Sequence, residues 1–394
     1  MLNVAMSWPF LRLYMLAFLF FSANSILNMI IPLRGEAMGA SNTTIGLIMG
    51  AYMFTCMFFR PWAGHIIHKH GPLKVLRTII LFNGFALILY TITGLGGFLI
   101  ARILQGISTA FFSMALQIGI IDALSEKERS QGVSLYSLFT YMPGIIGPIL
   151  ALGIWENGGM NSFTLAMVAI AILTGVFGYS TKLGNQSTTA HKNEEENGSH
   201  LLKSFHHLVT NPFLFKCSLL MLTASIIFGA IATFMPLYAN QLTNANAGIY
   251  LMLQAATIVI ARFVLRKNIP SDGKWHNKFI VSIMLLLAIS AQLVSYSAVV
   301  GVGFLYTGAI LMGIAQALLY PTLTTYLTFV LPQASRNVLI GLFIAMADLG
   351  ISLGGVIMGP IADLSSYSFM YTICAILGLL MAIFAYDKRP TFIG

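Results

Sequence analysis

The sequence has 394 residues, of which 57% are hydrophobic and 8% are charged, and its formal net charge is +9. A mean hydropathy of +0.84 excludes a water-soluble globular protein, because such a protein needs a far more polar surface. We interpret the positive charge as a signal of membrane topology, and we expect no nucleic-acid partner.

Apolar stretches of about 20 residues recur along the chain, and this length crosses about 30 Å of hydrocarbon. The first stretch contains Arg12, lacks a convincing cleavage site and precedes similar ones, so we interpret it as a transmembrane helix rather than a signal peptide. We predict an all-α integral membrane protein surrounded by a lipid bilayer. Its twelve predicted transmembrane helices are 9–32, 43–62, 74–94, 97–122, 131–155, 160–181, 212–238, 246–266, 279–299, 301–330, 337–361 and 369–386.

The basic residues predict the orientation of these helices. An even number of spans puts both termini on one side, and that side receives all of the 21 Lys and Arg residues except Arg34 and Arg102. Because cytoplasmic loops carry the excess of Lys and Arg, we expect both termini in the cytoplasm.

One polar segment, residues 182–211, interrupts the apolar rhythm with Glu194–Glu196 and the pair His206-His207. Its composition is typical of a cytoplasmic linker. We therefore predict an N-terminal six-helix bundle over 1–181 and a C-terminal six-helix bundle over 212–394.

The two predicted bundles resemble each other in sequence. Arg60 precedes Gly71 by eleven residues, and Arg262 precedes Gly273 by eleven. Further echoes pair Arg102-x-x-Gln105-Gly106 with Gly313-x-x-Gln316-Ala317, Leu124 and Arg129 with Leu331 and Arg336, and Gly147-Pro148 with Gly359-Pro360. The echoes predict a duplicated bundle, an arrangement that places a substrate cavity between the halves near the bilayer midplane.

The fourth span carries a polar stripe of Arg102, Gln105, Thr109, Ser113 and Gln117 at helical spacing. An Arg at mid-membrane costs about 2.5–3.5 kcal/mol on insertion scales, so Arg102 is expected to face protein or water. We interpret it as a substrate or coupling residue. The alternative is an Arg that stabilises the bundle through hydrogen bonds to carbonyl groups.

Asp348 is the only carboxylate near the middle of a predicted span. It is our candidate for the proton carrier or the partner of a substrate amine, and the alternative is a structural ion pair. Substrate contacts are also expected from polar residues of other spans, although interhelical hydrogen bonds of about 0.6 kcal/mol each would explain them too. These residues are Asn24, Asn28, Tyr136, Gln254, Gln316 and Tyr320.

The sequence contains no nucleotide-binding Gly-Lys-Ser/Thr loop, nucleophile elbow or metalloprotease helix, so we expect neither an enzyme nor a cofactor. His65, His68 and His70 lack a Cys or carboxylate to complete a shell, and no metal site is predicted. A channel and a polytopic membrane enzyme are the competing protein classes. Accumulation against a gradient would exclude the channel, and clustered interfacial catalytic residues are missing for the enzyme.

The region Arg60–Arg77 resembles the motif Gly-x-x-x-Asp-Arg-x-Gly-Arg-Lys in the loop between the second and third helices of major facilitator superfamily transporters. Gly64, Lys69, Gly71 and Lys74 match the motif, and His68 occupies its acidic position. The resemblance implies twelve helices in two bundles and a cytoplasmic gate at Arg60, Gly64, His68, Lys69 and Gly71.

Two further motifs of this family are matched. Arg102-x-x-Gln105-Gly106 resembles the fourth-helix motif, whose Arg is associated with proton coupling. Gly144, Gly147 and Pro148 resemble the helix-bending motif in the fifth helix of antiporters, although Ala151-Leu152 replaces the usual Gly-Gly. These matches imply a proton-driven exporter that functions as a monomer and needs no cofactor besides the proton gradient.

Four stretches also resemble a narrower branch, the bacterial exporters of opine metallophores of the staphylopine type. They are Trp8–Tyr14, Ile31–Gly35, Ile269–His276 and Tyr320–Tyr326. The resemblance implies export of a small chelator across the bacterial plasma membrane by alternating access. A multidrug exporter and, behind it, a sugar or metabolite exporter are the alternatives.

Overall fold

The computed structural model describes residues 4–181, 211–333 and 335–386, so most of the predicted linker, including His206 and His207, lies outside the described residues. Within these ranges the chain forms eleven α-helices, each long and apolar enough to cross a membrane. They are α1 (Trp8–Ala37), α2 (Asn42–His70), α3 (Pro72–Ile92), α4 (Leu95–Ala123), α5 (Glu126–Ser180), α6 (Pro212–Asn240), α7 (Ala247–Val264), α8 (Asn277–Val300), α9 (Val302–Val330), α10 (Arg336–Leu364) and α11 (Tyr367–Ala385).

Helix α5 covers the fifth and sixth predicted spans. At Gly159 its backbone leaves the helical region, with φ +52° and ψ −134°. Glycine adopts this conformation without a steric penalty because it has no Cβ atom. Two helices therefore meet end to end at Gly159, and we call them the N-terminal and C-terminal parts of α5.

The helix ends show that one interpretation was wrong. The predicted spans 43–62 and 74–94 leave a loop over 63–73, but α2 continues to His70 and α3 begins at Pro72, so Gly71 alone separates them. Gly71 ends α2 at φ +83°, and Pro72 has the fixed φ that suits the first turn of α3. Hydropathy marks where a helix leaves hydrocarbon, whereas a helix continues as long as no residue interrupts its backbone hydrogen bonds.

The described residues form two compact units, divided within the segment 182–210. In the N-terminal unit, α1 packs on α5, α2 and α3 both pack on α4, and α3 also packs on α5. Ser25 Oγ donates to Pro143 O at 2.8 Å, and a Cβ on Gly178 would meet Ile80, so α1 contacts the N-terminal part of α5 and α3 the C-terminal part.

The C-terminal unit repeats this order of helix pairs. Helix α6 packs on α10, α7 and α8 both pack on α9, and α8 also packs on α11. The echoed glycines agree, since Gly71 and Gly273 both have a positive φ, of 83° and 72°. The duplication that the sequence predicts is therefore visible inside each unit.

Small residues allow the long helices to approach closely. A Cβ atom on Gly354 of α10 would meet Ile226 O and lie 2.7 Å from Ala230 N, both in α6. In the N-terminal unit, a Cβ on Gly147 of α5 would meet Ser25 of α1. Such contacts hold membrane helices together through van der Waals packing, because lipid offers no hydrophobic driving force.

Arginine side chains at helix ends also donate hydrogen bonds to backbone carbonyl groups. Arg77 Nη2 donates to Tyr179 O at 3.3 Å and to Thr181 O at 3.4 Å, which caps the C-terminal end of α5. Arg129 Nε donates to Ile121 O and Leu124 O at the end of α4. These residues therefore stabilise helix ends.

Candidate functional site

Arg102 lies in α4 with its side chain fully buried. Its Nη1 donates to Asn24 Oδ1 at 3.0 Å, and its Nη2 donates to Asn28 Oδ1 at 2.8 Å. The two asparagines are one turn apart on α1, so both amide oxygens point at the same guanidinium group. The structure thus brings together three residues that the sequence singled out on different spans.

Gln105, one turn along α4, is the third amide at this site. Its Oε1 accepts from Arg102 Nη1 at 3.3 Å and from the Tyr90 hydroxyl of α3 at 2.9 Å. Met49 Sδ of α2 lies 3.1 Å from Arg102 Nη2. Three helices besides α4 therefore contribute a group that faces the guanidinium or its neighbour.

The face of the guanidinium is covered by Tyr52 of α2, whose ring centroid lies 5.3 Å from Arg102 Cζ. A cation over an aromatic ring is stabilised by the ring quadrupole. The Tyr52 hydroxyl donates to Thr109 Oγ1 at 3.0 Å, one turn beyond Gln105. Gly106 permits this approach, because a Cβ there would meet Thr55 and Tyr52 O.

The charge of Arg102 has no carboxylate partner among the described residues. Across the described parts of the chain, no Asp or Glu forms an ion pair with it, and its oxygen partners are the neutral amides of Asn24, Asn28 and Gln105. A buried cation held by neutral acceptors is solvated but not neutralised, and an anion that reaches it gains a charge-assisted hydrogen bond. The arrangement is therefore suited to a carboxylate ligand.

The C-terminal unit carries a different polar group at the echoed positions. Gln254 Nε2 of α7 donates to Gln316 Oε1 of α9 at 3.1 Å, and Gly313 packs against Gln254 O. Tyr320, one turn beyond Gln316, packs against Phe343 of α10 with ring centroids 6.0 Å apart and the rings tilted by 33°. Helix α4 thus carries a buried cation in the first unit, whereas its counterpart α9 carries one half of a neutral amide pair in the second.

Asp348 lies in α10 and is buried, as is Ser352 one turn further along. Helix α10 is packed along α6 at this level, because a Cβ on Gly350 would lie against Leu222 O and Ser225. The carboxylate is therefore held on a helix whose position is fixed by close backbone contacts. Its role as proton carrier stays a prediction.

The remaining predicted residues lie outside the contacts described so far. The Tyr136 hydroxyl of α5 donates to Ser113 O at 3.3 Å, whereas Gln117 is exposed. The predicted gate residues all belong to α2 or its end: Arg60 and Gly64 are half-buried inside the helix, His68 and Lys69 are exposed in its last turn, and Gly71 terminates it. Of the predicted helix-bending residues, Gly147 and Pro148 are buried and Gly144 is half-buried.

Sequence reasoning missed Met49, Tyr52 and Tyr90. The sequence shows two tyrosines in apolar runs but not that they are buried, which is what gives each hydroxyl a need for a hydrogen-bond partner. Nothing in the sequence indicates that Met49 faces the Arg. Over the described residues, no group of three His, Cys, Asp or Glu side chains is placed to hold a metal ion.

Comparison with known proteins agrees with this architecture. The family model of the Major Facilitator Superfamily matches residues 13–268 and 268–392. Among solved structures, the nucleoside transporter NupG has a TM-score of 0.74 at 13% identity, covering 96% of this chain and 98% of its own. A bacterial homologue of the human lysosomal transporter Spinster has a TM-score of 0.71 at 12% identity, covering 97% of this chain and 95% of its own.

Two curated relatives match along most of their length. The staphylopine export protein of Staphylococcus aureus strain Mu50 is 52% identical over 387 residues, which is 98% of this chain and 98% of the relative. Multidrug resistance protein 2 of Bacillus subtilis strain 168 is 24% identical over 375 residues, 91% of this chain and 90% of the relative. This chain is a multi-pass membrane protein that belongs to the major facilitator superfamily.

Proposed function

We propose that this protein exports an opine-type metallophore, similar to staphylopine, across the bacterial plasma membrane. The observation that carries the proposal is the buried guanidinium of Arg102, which is held by the neutral oxygens of Asn24, Asn28 and Gln105. Opine metallophores carry several carboxylates together with amine or imidazole groups, and an unneutralised Arg is a strong partner for a carboxylate. The 52% identical relative named for staphylopine export supports this choice of substrate.

The C-terminal unit offers partners for the other groups of such a substrate. Gln254 and Gln316 each present an amide that both donates and accepts, and Asp348 is an acceptor for an amine. In the proposed cycle Arg102 contacts a substrate carboxylate, and Asp348 carries a proton or pairs with the amine. Tyr320 and Tyr136 supply further hydroxyl groups.

Export is driven by protons that enter the cell as the substrate leaves. One charge crossing 100 mV is worth about 2.3 kcal/mol, so each proton supports a substantial substrate gradient. We assign twelve spans, counting the two parts of α5 separately, with both termini in the cytoplasm. The exporter works as a monomer by alternating access, in which the substrate is exposed first to the cytoplasm and then to the outside.

A multidrug exporter is the second candidate, because Multidrug resistance protein 2 is 24% identical to this chain. A cationic drug would need an acidic residue among aromatic side chains. The Arg102 site disfavours such a ligand, since a second cation beside a buried guanidinium raises the electrostatic energy. Anionic and zwitterionic substrates remain compatible with it.

Transport into inside-out proteoliposomes tests the choice between these substrates. With an imposed proton gradient, we expect uptake of metal-free staphylopine that stops when a protonophore collapses the gradient. Ethidium is the cationic comparison, and lactose represents the neutral sugars. Uptake of ethidium without staphylopine would replace the proposal with the multidrug function, and uptake of lactose alone would point to a sugar exporter.

A further inference from the structure

Tyr90 has a buried side chain, and both its backbone carbonyl and its hydroxyl form hydrogen bonds. Its backbone carbonyl accepts from Arg34 Nη1 at 3.0 Å, and its hydroxyl donates to Gln105 Oε1 at 2.9 Å. The ring packs on Phe98 with centroids 5.9 Å apart, and Arg34 Cζ lies 4.8 Å from the same Phe98 ring. Tyr90 is therefore anchored by its backbone and by its ring, so the position of its hydroxyl is fixed.

The Gln105 carboxamide has two orientations that differ in the group it presents to Arg102. With Oε1 towards the guanidinium it accepts a hydrogen bond, and with Nε2 there it would place a donor against another donor. A hydroxyl that donates to Oε1 selects the first orientation. The same oxygen accepts from Arg102 Nη1 at 3.3 Å, so one acceptor is shared by the tyrosine and the guanidinium.

We infer that Tyr90 is a positioning residue: through Gln105 it holds the Arg102 guanidinium towards Asn24 and Asn28, and so sets the affinity for the substrate carboxylate. The inference rests on the proposed function. Among the described residues Tyr90 donates its hydroxyl to Gln105 and not to Arg102, and in this proposal it does not contact the substrate. Its contribution is preorganisation, because a guanidinium that is already held loses less conformational entropy on binding.

Tyr90→Phe tests the inference by removing the hydroxyl and keeping the ring. We expect the Kd for metal-free staphylopine to rise roughly three- to tenfold, the range for ordering one more side chain on binding, with a Tm no lower than that of Tyr14→Phe. Tyr14→Phe is the matched control, since Tyr14 is an equally buried tyrosine of the same unit whose hydroxyl donates to Ala5 O. An equal rise in Kd for Tyr14→Phe would overturn the inference.

A double substitution separates positioning from general packing. If Tyr90 acts through Gln105, then Tyr90→Phe in a Gln105→Leu background should change the Kd no further. Additive losses would overturn the inference. The Kd for the methyl ester of staphylopine gives a second readout. This readout does not depend on whether Gln105→Leu folds. Tyr90→Phe should leave ester binding unchanged, and equal losses for acid and ester would contradict a role at the carboxylate site.

A structure of Tyr90→Phe keeps this inference separate from the choice of substrate. If the wild type fails to bind staphylopine, the proposed function is overturned. The orientation of the Gln105 carboxamide in the variant structure then still tests the inference. We expect its carboxamide to rotate away from Arg102 in the variant. A carboxamide with Oε1 still within hydrogen-bond distance of Arg102 Nη1 would overturn the inference.

Discussion

The two units share an order of helix pairs but differ in the polar groups that this order holds. In the N-terminal unit, α4 carries the buried cation Arg102, surrounded by amide oxygens. In the C-terminal unit, α9 takes the place of α4, and its Gln316 forms a neutral hydrogen bond with Gln254 of α7. Helix α10 of the same unit carries the buried Asp348. A duplicated framework therefore tolerates opposite charges at different points, because helix packing depends on small residues at the crossings and not on the polar groups.

This difference matters for the proposed substrate. A metallophore with carboxylates and amines is a zwitterion, so its carboxylates suit a cation and its amines suit an anion or another acceptor. Two units with the same polar groups would suit one kind of group only. The predictions that follow test the cation of the N-terminal unit and the polar groups of the C-terminal unit, in order of decreasing effect.

Removal of the cation is expected to have the largest effect. Arg102→Gln should lower transport of staphylopine by about 10- to 100-fold, because hydrogen bonds to a charged group contribute about 1.5–3 kcal/mol and tenfold corresponds to 1.4 kcal/mol. Initial rates in proteoliposomes measure the effect. Arg129→Gln is the control, since Arg129 donates to Ile121 O and Leu124 O and not to the Arg102 cluster.

A comparable loss in Arg129→Gln would show that Arg102→Gln damages the fold rather than the site. Arg102→Lys sharpens the result further. A lysine keeps the charge but cannot bind two asparagine oxygens through one planar group, so we expect an intermediate rate.

The acidic half of the comparison is tested by Asp348→Asn. If Asp348 carries the proton, proton-driven uptake should fall about tenfold, whereas exchange of substrate across the membrane without a proton gradient should persist. Counterflow of labelled staphylopine measures the exchange. Loss of both activities would assign Asp348 to substrate binding, and retention of both would remove it from the mechanism.

The sequence was sufficient to predict much of this architecture. The succession of long apolar helices and the duplication followed from hydropathy and from echoes such as Gly71 and Gly273, because both depend on local chemistry. The contact of Arg102 with Asn24 and Asn28 was not predictable as such, although all three were selected. Which helices touch is decided by packing over sequence separations of more than 70 residues.

Two features of the structure were not visible in the sequence. The end of α2 was placed too early, at residue 62, because hydropathy falls from Arg60 onwards, while the helix continues to His70. Tyr52 and Tyr90 were overlooked because a tyrosine in an apolar run has the same appearance whether it faces lipid, another helix or a buried cation. Only the direction of each side chain in the fold distinguishes these cases.

Glycine at the crossing of α6 and α10 is the next test, since this packing fixes the helix that carries Asp348. Gly354→Ala should destabilise the protein by about 1–3 kcal/mol, because the added Cβ would meet Ile226 O. Gly153→Ala is a matched control: its Cβ would have no neighbour within 4 Å. Thermal unfolding in detergent measures both, and equal Tm values would contradict the close contact.

The neutral amide pair is expected to contribute less than either charge. Gln254→Leu removes the donor to Gln316 Oε1 and should lower transport about threefold, the lower end of the range for a neutral hydrogen bond. A loss as large as that of Arg102→Gln would erase the proposed difference between the units. The comparison uses the same proteoliposome assay.

The smallest effect concerns the junctions that follow Arg60 and Arg262. Gly71 alone joins α2 to α3, but twelve positions separate α7 from α8, and there Asp272 Oδ1 accepts from His276 Nε2 at 2.8 Å and from Lys274 N at 3.1 Å. These hydrogen bonds lower the pKa of the exposed Asp272 carboxyl below its usual value of 3.8. The stabilisation is therefore complete above pH 4 and is lost as the pH falls through the lowered pKa.

Asp272→Asn tests this junction. In the wild type, hydrogen exchange over 270–276, corrected for its intrinsic pH dependence, should accelerate only in acid below pH 4. In Asp272→Asn it should be faster at neutral pH and show no further step in acid, because the asparagine cannot ionise. Transport should stay unchanged, since the junction contains none of the proposed substrate contacts. A transport loss would mean that this junction, unlike its short counterpart at Gly71, takes part in the cycle.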